Sequence, residues 1–173
     1  MKLPHIHIKP HLALQLAGAF VFLAIAFGAA QIGAALTSPV TSDPAGWYAG
    51  LEKSVLNPPN WVFPVVWTLL YALMAAGAWR AWRAAPNFRA FLPALGLWLG
   101  QLAINVAWSW AFFGLQSPLL AACIIALLAV AIALTMRAFR AFDRLAALAL
   151  APYLAWVAFA AYLNLTVFYL NGA

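Results

Sequence analysis

The sequence predicts an all-α polytopic membrane protein, a bundle of five transmembrane helices with an ordered cap between the first and second. Composition comes first: 68% of the 173 residues are hydrophobic, 7% are charged, and the mean hydropathy is +0.95. A soluble domain carries about 25% charged residues. Second, five apolar runs each approach the roughly 20 residues needed to cross a bilayer. Third, the basic residues sort onto one side of those runs.

The spans fall at about 12–36, 61–82, 91–113, 118–139 and 145–170. The apolar core of the first is too long for a signal peptide, and removing it would strip a fifth of the bundle. Residues 1–11 read as a basic arm, and 12–173 as a single membrane domain. Connections are short except for 37–60, rich in Ser, Thr, Pro, Asp and Gly, which reads as a cap. The side that carries the arm and the 83–90 and 140–144 linkers collects Lys2, Lys9, Arg80, Arg83, Arg89, Arg137, Arg140 and Arg144, whereas the opposite side holds only Lys53. Orientation therefore explains the formal charge of +6 better than nucleic-acid binding does. In a plasma-membrane setting the N-terminus is expected to be cytoplasmic, with the cap and C-terminus outside.

No charged residue falls in the middle of a span. Ion-coupled pumps place ionisable groups at depth, and hydrolases need an acid or base within reach of the substrate, so both classes are disfavoured. The single Cys123 excludes an intrachain disulfide and gives no metal cluster. His5, His7 and His11 are expected to form a solvated arm rather than a metal site. Asp143 is expected to balance Arg140 and Arg144 locally.

Residues 47–71, WYAGLEKSVLNPPNWVFPVVWTLLY, hold three tryptophans and two tyrosines around Pro58-Pro59. The proline pair stiffens the backbone and blocks helix before it. Flat aromatic faces at the entrance of a span suit a lid over a cavity for a flat, greasy ligand. In the second span Phe63, Trp67, Tyr71 and Met74 share a stripe, and Trp67 lies about 9 Å below Trp61, deeper than a belt residue. Trp61, Trp79 and Trp82 lie near span ends, as belt residues do.

In the third span Gln101, Asn105, Trp108 and Phe112 recur at helical spacing on one face. The two amides serve either as glue between helices or as ligand contacts. On another face Gly96, Gly100, Ala103, Ala107 and Gly114 form a small-residue stripe, for packing within the monomer or for a homodimer seam. In the fifth span Tyr153, Trp156, Ala160 and Asn164 share a face, where Ala160 beside a large aromatic either leaves room for a ring or is ordinary packing.

Three groups of residues together carry a resemblance. Trp47, Tyr48, Leu51, Lys53, Pro58, Pro59, Trp61, Phe63, Trp67, Thr68, Leu70 and Tyr71 form the first. Gln101, Leu102, Asn105, Trp108, Phe112 and Phe113 form the second. Pro152, Tyr153, Trp156, Phe159, Ala160, Leu163 and Asn164 form the third. From Trp47 to Asn164 the chain resembles the TspO/MBR family of bacterial tryptophan-rich sensory proteins and the mitochondrial translocator protein, the peripheral-type benzodiazepine receptor. The resemblance implies a five-helix bundle, commonly a homodimer, with a ligand cavity under the first linker. It implies porphyrins such as protoporphyrin IX, sterols in animal members, and isoquinoline or benzodiazepine drugs as ligands, with no obligatory cofactor. Carried over by motif, the pocket would use Trp47, Tyr48, Trp67, Asn105, Trp108, Trp156 and Ala160; Phe63 joins them from the stripe it shares with Trp67. The expected function is porphyrin-binding sensing or regulation, with transport of porphyrin, lipid or sterol, or light-dependent porphyrin degradation, as alternatives. Two departures stand out. Lys53 is followed by Ser54 rather than the family's proline, which is expected to loosen that turn. No Lys or Arg follows Tyr162 or Tyr169, so the animal sterol pattern fails.

Overall fold

The computed structural model describes residues 12–172, and the His5, His7 and His11 expectation lies outside them. Among the described residues the regular elements are all helices, with no strand. The elements are α1 (Leu12–Thr41), α2 (Trp47–Gly50), α3 (Val62–Ala84), α4 (Phe88–Ser109), α5 (Pro118–Arg140), α6 (Arg144–Leu148) and α7 (Ala151–Asn171). A single π-helical turn, Trp110–Gly114, extends α4. Five stretches are long and apolar enough to span a bilayer: α1, α3, α4 with its π turn, α5, and α6 with α7. This is an integral membrane protein.

Local chemistry sets the boundaries. Pro58 and Pro59 keep the approach to α3 extended, and the helix begins at Val62 with Pro64 tolerated in its first turn. Asn87 caps α4 by accepting from the Ala90 amide at 2.9 Å, and Ser117 caps α5 just ahead of Pro118. Helix α1 runs to Thr41, past the expected end at 36, and carries Pro39 within it. Thr37, Thr41 and Ser42 turn their hydroxyls back onto the carbonyls of Gly33, Thr37 and Ser38, which satisfies these side chains inside an apolar medium.

The last span is not one continuous helix. Pro152 has no N–H for the carbonyl of Leu148, and its ring crowds that turn. The chain therefore breaks between α6 and α7, and Leu150 enters the core with no exposed surface. Gly77 on α3 makes room for this. A Cβ there would lie 2.8 Å from Leu150 Cδ1 and 2.9 Å from the Ala146 carbonyl.

Asp143 departs from its expected role. It caps α6, accepting from the Leu145 and Ala146 amides, and pairs with Arg80 of α3 at 2.7 Å. Partial burial raises its pKa, but the two amides and the guanidinium outweigh that and hold it below the usual carboxylate range. Its contribution is therefore present above the ordinary carboxylate pKa and lost as pH falls through the depressed value. Asp143→Ala is expected to lower stability by about 1–2 kcal/mol, the range of a lost N-cap. Chemical unfolding in detergent at neutral pH checks this, and the difference should shrink in acid.

The core lies toward the arginine-bearing end. There Trp98, Phe91, Phe139, Met74, Ile132 and Tyr153 are fully enclosed. Helices α1 and α3 touch closely at this end: Trp79 Nε1 donates to the Gln15 carbonyl at 2.9 Å, and a Cβ on Gly18 would strike the Trp82 ring at 2.4 Å. Trp79 and Trp82 are thus helix-packing residues rather than the belt residues expected from their positions. Trp61, 69% exposed, does sit as a belt residue would.

Candidate functional site

Toward the cap the same helices enclose a cavity of about 440 Å³, a size suited to small ligands. Its walls are the outer halves of α1 and α3, the end of α4 with the π turn, and the cap. Five of the eight residues expected to bind ligand line it: Tyr48, Phe63, Trp67, Asn105 and Trp108. Among the described residues no lining side chain is charged.

The other three stand elsewhere. Trp47 packs on Phe112 with ring centroids 5.6 Å apart. Trp156 lies 6.0 Å from the Phe63 ring, and Ala160 is half-buried against the core. None of the three lines the cavity, and α7 contributes no lining residue. The reason lies in the polar pairing of α7. Its face turns Tyr153 and Asn164 inward, where they meet α4, while Trp156 supports Phe63 from behind.

That pairing is a buried network. Tyr71 Oη donates to Asn105 Oδ1 at 2.8 Å, and Asn105 Nδ2 donates to Tyr153 Oη at 3.0 Å. Both hydrogen-bonding ends of one amide are thus used, and α3, α4 and α7 are joined at one level. Trp108 Nε1 donates to Asn164 Oδ1 at 3.1 Å, and Asn164 Nδ2 donates to the Pro118 carbonyl at 2.7 Å. Gln101, fully buried, donates Nε2 to the Met74 sulfur at 3.7 Å. The amides act as glue between helices, and Asn105 also borders the cavity.

The π turn shapes the cap end of α4. Its widened geometry, with Leu115 N donating to the Trp110 carbonyl at 2.8 Å, buries Ala111, Phe112 and Phe113 in succession. Phe112 and Phe113 then seat the cap, against Trp47 and Tyr48 respectively. Single π turns of this kind recur at functional sites.

The cap is held from its far side. Asn171 Oδ1 accepts from the Glu52 amide at 2.8 Å, and its Nδ2 donates to the Glu52 carbonyl at 2.9 Å. The Ser54 and Tyr162 hydroxyls lie 2.9 Å apart, and Ser54 Oγ accepts from the Leu56 amide. Ser54 therefore ties the turn that a missing proline was expected to loosen. Lys53 Nζ donates to the Leu51 carbonyl at 3.1 Å and sits 4.5 Å from the Tyr48 ring centroid. Burial lowers the Lys53 pKa. It also raises the Tyr48 pKa, against the opposing hydrogen bond with Asn57.

The sequence reading missed α1. Phe27, Ala30, Gln31, Gly33, Ala34, Thr37, Ser38 and Thr41 all line the cavity. A signal was present: Phe27, Gln31, Ala34, Ser38 and Thr41 follow one another at steps of four, three, four and three, the spacing of a single helix face. Gln31, Ser38 and Thr41 are the polar residues on that face.

On the opposite side of α4, Gly96 and Gly100 have no atom within 4 Å of a Cβ placed on either. Ala103 edges a shallow outer groove together with Ile25, Gly28, Ala29 and Ile32 of α1, and Ala107 is half-buried. At the two glycines the small-residue stripe does not pack against another helix among the described residues.

The comparisons with known proteins agree with this architecture. The TspO/MBR family profile matches residues 12–170. The chain is 42% identical over 135 residues to a tryptophan-rich protein TspO of Chlorobaculum tepidum, covering 78% of this chain and 85% of that one. It is 43% identical over 123 residues to a human translocator protein, covering 70% and 72%. To a tryptophan-rich sensory protein of Cereibacter sphaeroides it is 36% identical over 142 residues, covering 82% and 87%. A match along nearly the whole described chain, with these identities, shows that the chain belongs to the TspO/MBR family.

Proposed function

We propose that this protein binds a flat tetrapyrrole, such as protoporphyrin IX, in the cavity beneath the cap, and that binding serves a sensory or regulatory role. The observation that carries this reading is the wall itself. Trp67, Trp108, Tyr48, Phe63 and Phe113 present aromatic surface to an uncharged hollow, and aromatic faces stack favourably on a macrocycle. Lys53, behind Tyr48 in the cap, is the cation nearest to hand for carboxylates left at the mouth. The relative named as a sensory protein supports the role assigned. The cap end is assigned to the outer side by the arginines at the other end, in a bacterial inner membrane. The unpacked Gly96–Gly100 surface is assigned to a homodimer seam.

Protoporphyrin IX added to the purified protein should quench its tryptophan fluorescence saturably, with one pigment per chain. A linear, non-saturating loss would remove the reading. A second reading, transport, is favoured by relatives named translocator proteins. Pigment flux into liposomes that exceeds protein-free leakage would support it, whereas binding without flux leaves the sensor. Light-dependent loss of bound pigment is a third possible outcome of the same site, measured by illuminating the complex.

A further inference from the structure

We infer that the ligand reaches the cavity sideways, from the leaflet on the cap side, through a slot between α1 and α3. This rests on the pigment-binding reading above and adds its route. Helices α1 and α3 are clamped together at the arginine end, where Phe22 and Trp82 lie 6.1 Å apart and the Trp79 indole holds the Gln15 carbonyl. Beyond the Phe27–Tyr71 ring contact, at 6.5 Å, no hydrogen bond or ring contact joins them toward the cap among the described residues, and the cavity lies between them.

The edges facing across this gap are small or polar on both sides. Gln31, Ala34 and Ser38 follow one another on α1 at steps of three and four. Asn60, Pro64 and Thr68 do so at and beyond the start of α3 at steps of four. All six line the cavity, and all six are also exposed on the outside of the bundle. The floor, by contrast, is closed by buried Asn105, Ser109 and Phe113 of α4 and its π turn. The cavity is thus sealed behind by α4 and roofed by the tethered cap, and it is open along the α1–α3 seam.

Depth decides what lies outside that seam. Gln31 is ten residues from the end of α1, about 15 Å along the helix, well into a hydrocarbon layer of roughly 30 Å. Thr68 lies about 10 Å below Trp61 by the same rise. A flat hydrophobic solute dissolved among acyl chains therefore meets the opening without crossing the cap. Gln31 has no hydrogen-bond partner among the described residues, and an unpaired amide at that depth is unfavourable. A ligand edge bearing polar groups satisfies it in passage.

The test uses full-length protein in liposomes preloaded with protoporphyrin IX, with tryptophan quenching followed by stopped flow. Ala34→Phe narrows the slot from α1, and Thr68→Phe narrows it from α3, neither adding an indole to the quenching signal. Both sites face outward, so at least one variant should fold. Asn171→Ala instead releases the cap tether. A narrowed doorway raises the barrier in both directions, so association and dissociation should slow together, by about tenfold or more, whereas mere loss of pocket volume would speed dissociation. Asn171→Ala should leave both rates within about twofold of wild type. The route is overturned if the slot variants keep wild-type rates while Asn171→Ala accelerates both. It is then the cap that opens, and the pigment site stands. Absence of saturable quenching in the wild type overturns the pigment reading and this route together.

Discussion

Replacing Asn105 with leucine is expected to destabilise the bundle by about 2–3 kcal/mol, the largest effect of any single polar substitution here. Hydrogen bonds between transmembrane helices are individually modest, because the separated helices find other partners in the membrane. The cost at Asn105 comes from what is left behind. Its amide accepts from Tyr71 and donates to Tyr153, and Tyr153 has no exposed surface. Removing the amide strands two buried phenols at once, each at about 1–3 kcal/mol when unsatisfied. Unfolding in mixed micelles, monitored by circular dichroism, measures this. Adding Tyr71→Phe to the leucine variant should recover part of the loss, because one stranded hydroxyl is removed with the bond. Loss of less than about 0.5 kcal/mol in Asn105→Leu would mean that the network is not holding the helices.

Replacing Trp67 with alanine is expected to weaken pigment binding by about 10- to 50-fold. Trp67 lines the cavity, and its ring also packs 5.7 Å from that of Tyr71 and 6.2 Å from that of Tyr153. An aromatic contact contributes about 0.5–1.5 kcal/mol beyond the area it buries, and losing the buried area adds a comparable amount. Each 1.4 kcal/mol is about tenfold in affinity. Trp67→Phe keeps a ring in place and should lose about threefold or less. Equilibrium titration with protoporphyrin IX, read from the pigment's own absorbance, avoids the confounding loss of a fluorophore. Equal affinities for Ala and Trp at this position would place the pigment elsewhere.

Much of this architecture was legible in the sequence because hydropathy and helical spacing act locally. The stripe Phe63–Trp67–Tyr71–Met74 turns inward as its spacing requires, and so does Gln101–Asn105–Phe112. What was illegible depends on partners far apart along the chain. Asp143 flanked by two arginines reads as a local balance, yet its partner is Arg80, 63 positions away. Asn171 belongs to no motif in the sequence, yet it clamps Glu52 across 119 positions. Helix α1 is apolar almost all round, so its weak periodicity hides which face meets the cavity. Trp156 was a reasonable ligand residue by type, but type does not say whether an indole forms a wall or supports one. The break before Pro152 was missed because a proline near a helix start is normally harmless. Here the short α6 ahead of it makes that proline interrupt a helix.

The central claim is that ligand occupies the hollow among α1, α3, α4 and the cap. Gly33 and Trp156 separate this from a site on α7. Gly33 is a buried lining residue whose added Cβ would meet only Ser109 Oγ, at 3.6 Å, so the backbone tolerates a side chain and the cavity loses volume to it. Protoporphyrin IX titration of Gly33→Leu and Trp156→Phe, each confirmed as folded by circular dichroism, decides the matter. The expected result is loss of saturable binding in Gly33→Leu and near wild-type binding in Trp156→Phe. Retained binding in Gly33→Leu together with loss in Trp156→Phe would contradict the account.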